Sequence, residues 1–106
     1  MSGSGGGDYL PTPTGGPCER LKQETAVQSP NPDVIARLSV RDELDVSLGV
    51  QGQAKTIFVR AGADIAGTLV ISGQGRLIEC LEQGYTYVAV VKALSGADCV
   101  VEIRPR

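Results

Sequence analysis

Residues 43–48 read Glu-Leu-Asp-Val-Ser-Leu, and this stretch indicates the fold of the chain more clearly than any other. Its three apolar residues alternate strictly with polar ones. Successive side chains of a strand point to opposite faces of a sheet, so this alternation predicts an antiparallel strand with one face in the core and one in water.

The segments that follow continue the sheet. Residues 56–60 (Thr-Ile-Phe-Val-Arg) read as the returning strand, after a turn or short loop at residues 49–55. Residues 61–64 (Ala-Gly-Ala-Asp) predict a hairpin connection into another strand at residues 65–71. Gly67 lies inside that strand, where a glycine suggests a bulge or a close approach of two backbones.

Three more strands complete the predicted set. Residues 21–27 alternate between apolar or β-branched and polar side chains, and residues 85–94 (YTYVAVVKAL) are a long run of β-branched and aromatic residues. Residues 95–98 (Ser-Gly-Ala-Asp) turn the chain into a last strand at residues 99–104. Six strands are therefore expected.

Two short helices are expected beside the strands. Asn31 is a suitable N-cap, because Pro32 and Asp33 fit the first turn, and this helix should end near Leu38. The second helix should cover residues 76–83, where apolar and acidic residues lie on opposite sides, with Gly84 in the left-handed position after it.

These elements predict an α+β, mainly β domain: a small six-stranded antiparallel, barrel-like sheet of the OB or SH3 type with two short helices. Closing the sheet into a barrel would remove its exposed edges. The chain has 106 residues, which allows one domain, and we assign it to residues 18–106. Residues 1–17 hold 6 of the 14 glycines and 3 of the 6 prolines, which predicts a disordered tail.

Three cysteines, Cys18, Cys80 and Cys99, form no Cys-x-x-Cys pair. We interpret them as buried free thiols, with a Cys80–Cys99 disulfide as the alternative. The first residues lack the charged and apolar regions of a secretory signal, so the cytoplasm is the expected location, and no stretch is apolar enough to suggest contact with a membrane.

The composition excludes several classes of enzyme. The chain has no histidine, so Ser-His-Asp and Cys-His nucleophile systems and histidine zinc sites are excluded. Asp42, Glu43 and Asp45 form the densest acidic group, which reads as the solvated face of a strand, with a Mg²⁺ or proton-sharing pair as the alternative. We expect no catalytic residue, metal or cofactor.

Binding is therefore the expected activity. The sequence Ser72-Gly-Gln-Gly-Arg76 before the second helix reads as an ordinary helix entry, with a phosphate-binding loop as the alternative. The candidate residues for binding single-stranded nucleic acid are Arg60, Arg76, Tyr85, Tyr87 and Lys92, since cations and aromatic rings bind phosphates and stacked bases. The alternative is a protein-interaction domain that docks through an apolar patch or a strand edge.

A resemblance to a known family covers about 65 residues. The segments that carry it are Asn31-Pro32-Asp33, the strand ending in Arg60, the strand Asp64–Leu69 with its glycine, the helix Arg76–Leu81 and the strand Gly84–Val91. Their order resembles that of the HIRAN domain, a small β-barrel module of DNA-repair helicases and stand-alone bacterial proteins. The resemblance implies an OB- or SH3-like barrel and, from the helicase members, capture of a 3′ end of single-stranded DNA. The aromatic residues of the family's DNA pocket have no clear counterparts here, so it implies no binding residue.

Overall fold

The structure is a computed structural model that describes residues 16–106. Its elements, in chain order, are β1 (Gln23–Ala26), α1 (Pro32–Ile35), β2 (Glu43–Gln51), β3 (Ala54–Ala61), β4 (Asp64–Leu69), α2 (Gln74–Glu82), β5 (Tyr87–Ser95) and β6 (Asp98–Pro105). The predicted tail at residues 1–17 lies outside the described residues except for Gly16 and Pro17, which lead into a turn that ends at Arg20.

The strands form one antiparallel sheet in the order β1-β6-β5-β2-β3-β4, curved into a half-barrel. The prediction of a mainly β, six-stranded, barrel-like domain with two short helices is thereby confirmed. The two edges approach each other just after β1, where Gln28 and Thr68 exchange backbone hydrogen bonds of 2.8 and 2.9 Å. The Asn31 amide also donates a hydrogen bond of 2.9 Å to the carbonyl oxygen of Ala66, so these bonds together join the two sides of the half-barrel.

Gly67 allows this approach. A Cβ atom at Gly67 would collide with the side chain of Val27 and would lie 2.8 Å from the carbonyl oxygen of Gln28. The pairing of β3 with β4 also shifts register opposite Gly67, between Val59 and Arg60. Both the bulge and the close approach predicted at this glycine are present.

The prediction of a turn or short loop over residues 49–55 is wrong, because β2 and β3 extend through most of this segment and form a hairpin. Gln51 pairs with Ala54 around a turn in which Gly52 has a φ of 67°. The glycine at position 49 weakened the strand pattern, but the ring of Phe58 packs directly over it and replaces the missing side chain.

The concave side of the sheet carries the core, which α1 and α2 help to cover. Side chains buried in it come from every strand except β1 and from both helices: Val34, Ile35, Leu44, Val46, Ile57, Val59, Ala66, Leu69, Leu77, Cys80, Tyr87, Ala89, Val91, Cys99, Val101 and Ile103, together with Val27 just after β1. α1 packs against β4 and α2 against β2. Neither helix in residues 16–106 has the length and apolar character needed to cross a membrane.

Two of the predicted helix-end signals, Asn31 and Gly84, are confirmed, although α1 ends earlier than predicted and α2 begins at Gln74 rather than Arg76. The Asn31 side chain accepts a hydrogen bond of 3.1 Å from the Asp33 amide, as an N-cap should. α1 stops at Ile35 rather than near Leu38, because the Arg37 and Leu38 amides bond three residues back in tight turns. α2 is followed by Gly84 with a φ of 98°, the left-handed conformation predicted there.

The prediction for the cysteines is wrong in both of its forms. Cys18 and Cys80 form a disulfide with Cα atoms 5.6 Å apart, and Cys99 is the free, buried thiol. Cys80 lies on the inner side of α2, and the turn at residues 17–20 brings Cys18 to it. Cys99 instead pairs with Leu94 in the β5–β6 hairpin.

Candidate functional site: the outer face of the sheet

The convex, outer face of the sheet carries a row of acidic residues. Strand register aligns Glu24 of β1 with Glu102 of β6, then Val90 of β5, then Glu43 of β2. Three carboxylates thus cross four strands, with one valine among them. We call these four residues the acidic row.

A second row lies beside it, two residues further along each strand and therefore about 7 Å away. Register aligns Arg104 of β6 with Val88 of β5, Asp45 of β2, Arg60 of β3 and Ile65 of β4. We call these five residues the basic row. The charged members of the acidic row are therefore all carboxylates, whereas the basic row holds Arg104 and Arg60 with the Asp45 carboxylate between them.

Hydrogen bonds and ion pairs hold the charged side chains against the sheet. Arg104 Nη2 lies 3.0 Å from Glu102 Oε1, and Arg106 forms an ion pair with Asp45. Arg60 donates a hydrogen bond of 3.1 Å from Nε to the Ser47 hydroxyl oxygen. The Arg104 Nε atom is buried and has no hydrogen-bond partner among the described residues. The arginines are thus fixed in place, and one retains an unused donor.

Apolar surface lies beneath these charges. Val88 and Val90 are only 5% and 8% exposed although they point outward, because the long side chains of the two rows cover them. Phe58 is half-buried on the same face, two residues before Arg60 on β3. It pairs with Thr68 of β4. The face therefore combines ordered charge with an aromatic ring at one side.

The five residues predicted to bind nucleic acid do not converge on one surface. Arg60 lies in the basic row, whereas Arg76 and Tyr85 lie on and just after α2, both exposed. Lys92 is exposed at a bulge in β5, where the register with β6 shifts between Val91 and Ala93. Along β5 it is about 13 Å beyond Val88.

Tyr87 must be removed from the predicted set. Its side chain is 1% exposed, and its hydroxyl donates a hydrogen bond of 2.5 Å to the carbonyl oxygen of Cys18. Burial raises the pKa of Tyr87, and the nearby Tyr85 and Glu19 raise it further. A ring enclosed in this way offers no surface on which a base can stack. Tyr87 lies two residues before Ala89 and four before Val91 on β5, so its side chain is on the same face of the strand as theirs. This alternation was the sequence signal for an inward side chain.

Two shallow cavities lie next to α2. One, of about 280 Å³, is lined by Pro17, Cys18, Arg76, Glu79, Cys80 and Gln83. The other, of about 290 Å³, is lined by Gln83, Gly84 and Tyr85. Arg76 and Tyr85 therefore belong to the α2 side of the domain rather than to the sheet face.

The acidic group noted in the sequence does not act as one site. The Asp42 side chain accepts a hydrogen bond of 2.8 Å from the Ser39 amide, and Asp45 pairs with Arg106. Within residues 16–106, no group of three or more acidic or cysteine side chains is arranged to hold a metal ion.

Sequence reasoning missed five charged or aromatic members of the outer face: Glu24, Phe58, Glu102, Arg104 and Arg106. The alternation of Phe58 with buried neighbours could have placed it outside, but the partner strands of Arg104 and Arg106 are known only from the topology. Comparisons of the chain with protein-family models, with curated proteins and with solved structures found no match. The resemblance to the HIRAN domain therefore stays a prediction.

Proposed function

We propose that this chain is a non-catalytic module that docks to protein through the outer face of its sheet. The observation that carries the proposal is the alignment of three glutamates in the acidic row beside Arg104 and Arg60 in the basic row, over a valine base. Such an arrangement of charges selects a partner and its orientation. In other alignments of the partner on this face, like charges would lie opposite each other and weaken binding.

The absence of catalysis is part of the proposal. Burial raises the pKa values of the Tyr87 hydroxyl and the Cys99 thiol, and both groups face the interior of the domain. A catalytic group of this kind would be expected in a cleft that substrate can enter. Neither group meets that requirement.

A protein suits the face better than nucleic acid does. Arg60, Arg104 and Arg106 are its cations, and they lie beside a row of three glutamates, with Asp45 already paired to Arg106. Binding of nucleic acid depends on net positive charge facing the phosphates. On this face the carboxylates cancel that charge.

The partner that matches the pattern is a second copy of this chain. A two-fold axis that runs between the two rows and parallel to them would set each acidic row over the basic row of the other copy. Arg104 would then face Glu102 of the second copy, Val88 would face Val90, and Asp45, with the Arg106 guanidinium group paired to it, would face Glu43. Self-complementarity of this kind is what a two-fold interface requires.

Charge reversal tests the proposal directly. We expect weak association of the native chain in sedimentation equilibrium, which declines when NaCl is raised from about 50 to 500 mM. Arg104→Glu and Glu102→Arg should each be monomeric, because each puts like charges opposite one another. An equimolar mixture of the two variants should associate again, since the carboxylate introduced in one chain then faces the guanidinium group introduced in the other.

A matched control reverses a charge away from the face. Lys55→Glu should associate as the native chain does, because Lys55 pairs with Glu82 of α2 on the other side of the sheet. The proposal fails if the native chain is monomeric at low salt, or if the mixture of the two variants stays monomeric. Fluorescence anisotropy with a short single-stranded DNA distinguishes the competing function: binding that is lost in Arg60→Gln and weakened by salt would support nucleic-acid recognition instead.

The compartment also forms part of the proposal, and it departs from the cytoplasm expected from the sequence. The Cys18–Cys80 disulfide joins residues 62 positions apart. Disulfides of this kind persist in oxidising compartments and are rare where glutathione and thioredoxin keep thiols reduced. We therefore place the working location in an oxidising compartment. Mass spectrometry of thiol-blocked cell extracts tests this, since a reduced pair would contradict it.

A further inference from the structure

The Cys18–Cys80 disulfide lies at the surface rather than wholly in the core. Cys80 is 1% exposed, but Cys18 is only half-buried. Both residues line the cavity of about 280 Å³ beside α2. Of the two cysteines at this cavity, Cys18 is therefore the more exposed and the expected point of attack for a small thiol.

The turn that carries Cys18 has few other attachments. Its backbone hydrogen bonds, from the Glu19 and Arg20 amides to the Gly16 carbonyl oxygen, are internal to the turn. The Glu19 side chain also accepts a bond from the Gly16 amide. Among the described residues, the hydrogen bond from Tyr87 to the Cys18 carbonyl is the one that ties this turn to the rest of the domain. Loss of the disulfide would leave the turn weakly held.

A cation lies in the same cavity. Arg76 lines it together with Glu79 and, among residues 16–106, forms no salt bridge. Thiol–disulfide exchange begins with attack by a thiolate anion, and a nearby arginine stabilises thiolates. Arg76 is thus the cation at this cavity that would attract the incoming anion.

We propose that the cavity beside α2 is a site of thiol–disulfide exchange, in which an incoming thiol reduces the Cys18–Cys80 bond and frees the turn at residues 16–20. The thiolate attacks Cys18 Sγ, a mixed disulfide forms there, and Cys80 leaves as a thiolate that takes up the proton lost by the incoming thiol. A second thiol then attacks the incoming sulfur of the mixed disulfide, which releases Cys18 as a thiol. Two thiols are oxidised to one disulfide and one protein disulfide is reduced, so the electrons balance.

The test uses glutathione as the thiol and the full chain in its folded state. Thiol titration in urea should first find one thiol in the oxidised protein and three after reduction, in agreement with the three cysteines of the chain. Timed reaction with glutathione, stopped by acid and followed by mass spectrometry, should then find the glutathione adduct on Cys18. Hydrogen exchange of residues 16–22 should rise on reduction while that of β5 stays slow.

Two comparisons separate local exchange from reaction through unfolding. Arg76→Gln should slow the reaction about two- to fivefold, the range for an exposed charge, whereas Lys92→Gln removes a cation elsewhere and should leave the rate unchanged. The buried Cys99 supplies an internal reference, because its alkylation requires the domain to open. The exchange rate should be nearly independent of low urea concentrations, under which Cys99 alkylation accelerates.

Several results would overturn the proposal. These are three titratable thiols in the oxidised protein, an adduct found on Cys80, and equal rates for Arg76→Gln and the native chain. The proposal would also fail if the exchange rate depended on urea concentration in the same way as the rate of Cys99 alkylation, since the disulfide would then react only in the unfolded chain. Unfolding of the whole sheet on reduction would also overturn it.

Discussion

Reduction of the Cys18–Cys80 disulfide should lower the free energy of unfolding by about 4 kcal/mol. The bond closes a loop across 62 positions of the chain. In the chain-entropy description, a cross-link over a loop of that length restricts the unfolded ensemble by about 14 cal/mol/K, which corresponds to about 4 kcal/mol at 25 °C. Small domains have total stabilities of about 5–15 kcal/mol, so the reduced domain should stay folded with a much smaller margin.

The measurement is urea unfolding followed by far-ultraviolet circular dichroism, with and without reductant. Cys99→Ala is the background of choice, because it removes the free thiol that permits disulfide scrambling and leaves the cross-link intact. The midpoint should fall on reduction, and Cys18→Ser in the same background should have the reduced midpoint in either condition. A redox difference below about 1 kcal/mol would refute the reasoning, since the loop would then contribute almost nothing.

Two other predictions concern the seam of the half-barrel and its buried tyrosine. Gly67→Ala should destabilise the domain by about 1–3 kcal/mol in urea unfolding, because its Cβ has no space against Val27 and Gln28. The control is Gly75→Ala in α2, where the space is open, and it should be neutral or stabilising by up to about 1 kcal/mol. Equal effects of the two substitutions on the free energy of unfolding would contradict the argument. Burial raises the pKa of Tyr87, so stability should be unaffected by this group below pH 10 and should fall as the pH rises through the folded-state pKa. In unfolding experiments, the stability of Tyr87→Phe should not fall in this way at alkaline pH. An unchanged fall in stability would mean that another group causes it.

Local pattern predicted most of the sheet because alternation reports which face of a strand is buried. The strands around Leu44, Ile57 and Val101 were all evident in this way, and Asn31 and Gly84 marked helix ends through their backbone chemistry. These signals depend on neighbours in sequence and therefore need no knowledge of topology.

Long-range features were not accessible in this way. The pairing of Cys18 with Cys80 depends on how the first turn meets α2, and no spacing rule specifies it. The two charge rows likewise exist only because β6 lies between β1 and β5, which brings Glu24, Glu102 and Glu43 into line. Tyr87 illustrates a different failure: its chemistry suggested a binding surface, whereas its strand phase already indicated the core.

The pairing of β1 with β6 imposes an order on biosynthesis. Gln23 meets Ile103, so the first strand acquires its neighbour only after some 80 more residues have been translated. At ribosomal speeds of about 5–20 residues per second, β1 waits about 4–16 s. During that interval the nascent polypeptide keeps an unsatisfied strand open to chaperones or to other chains, and only the arrival of β6 ends this exposure.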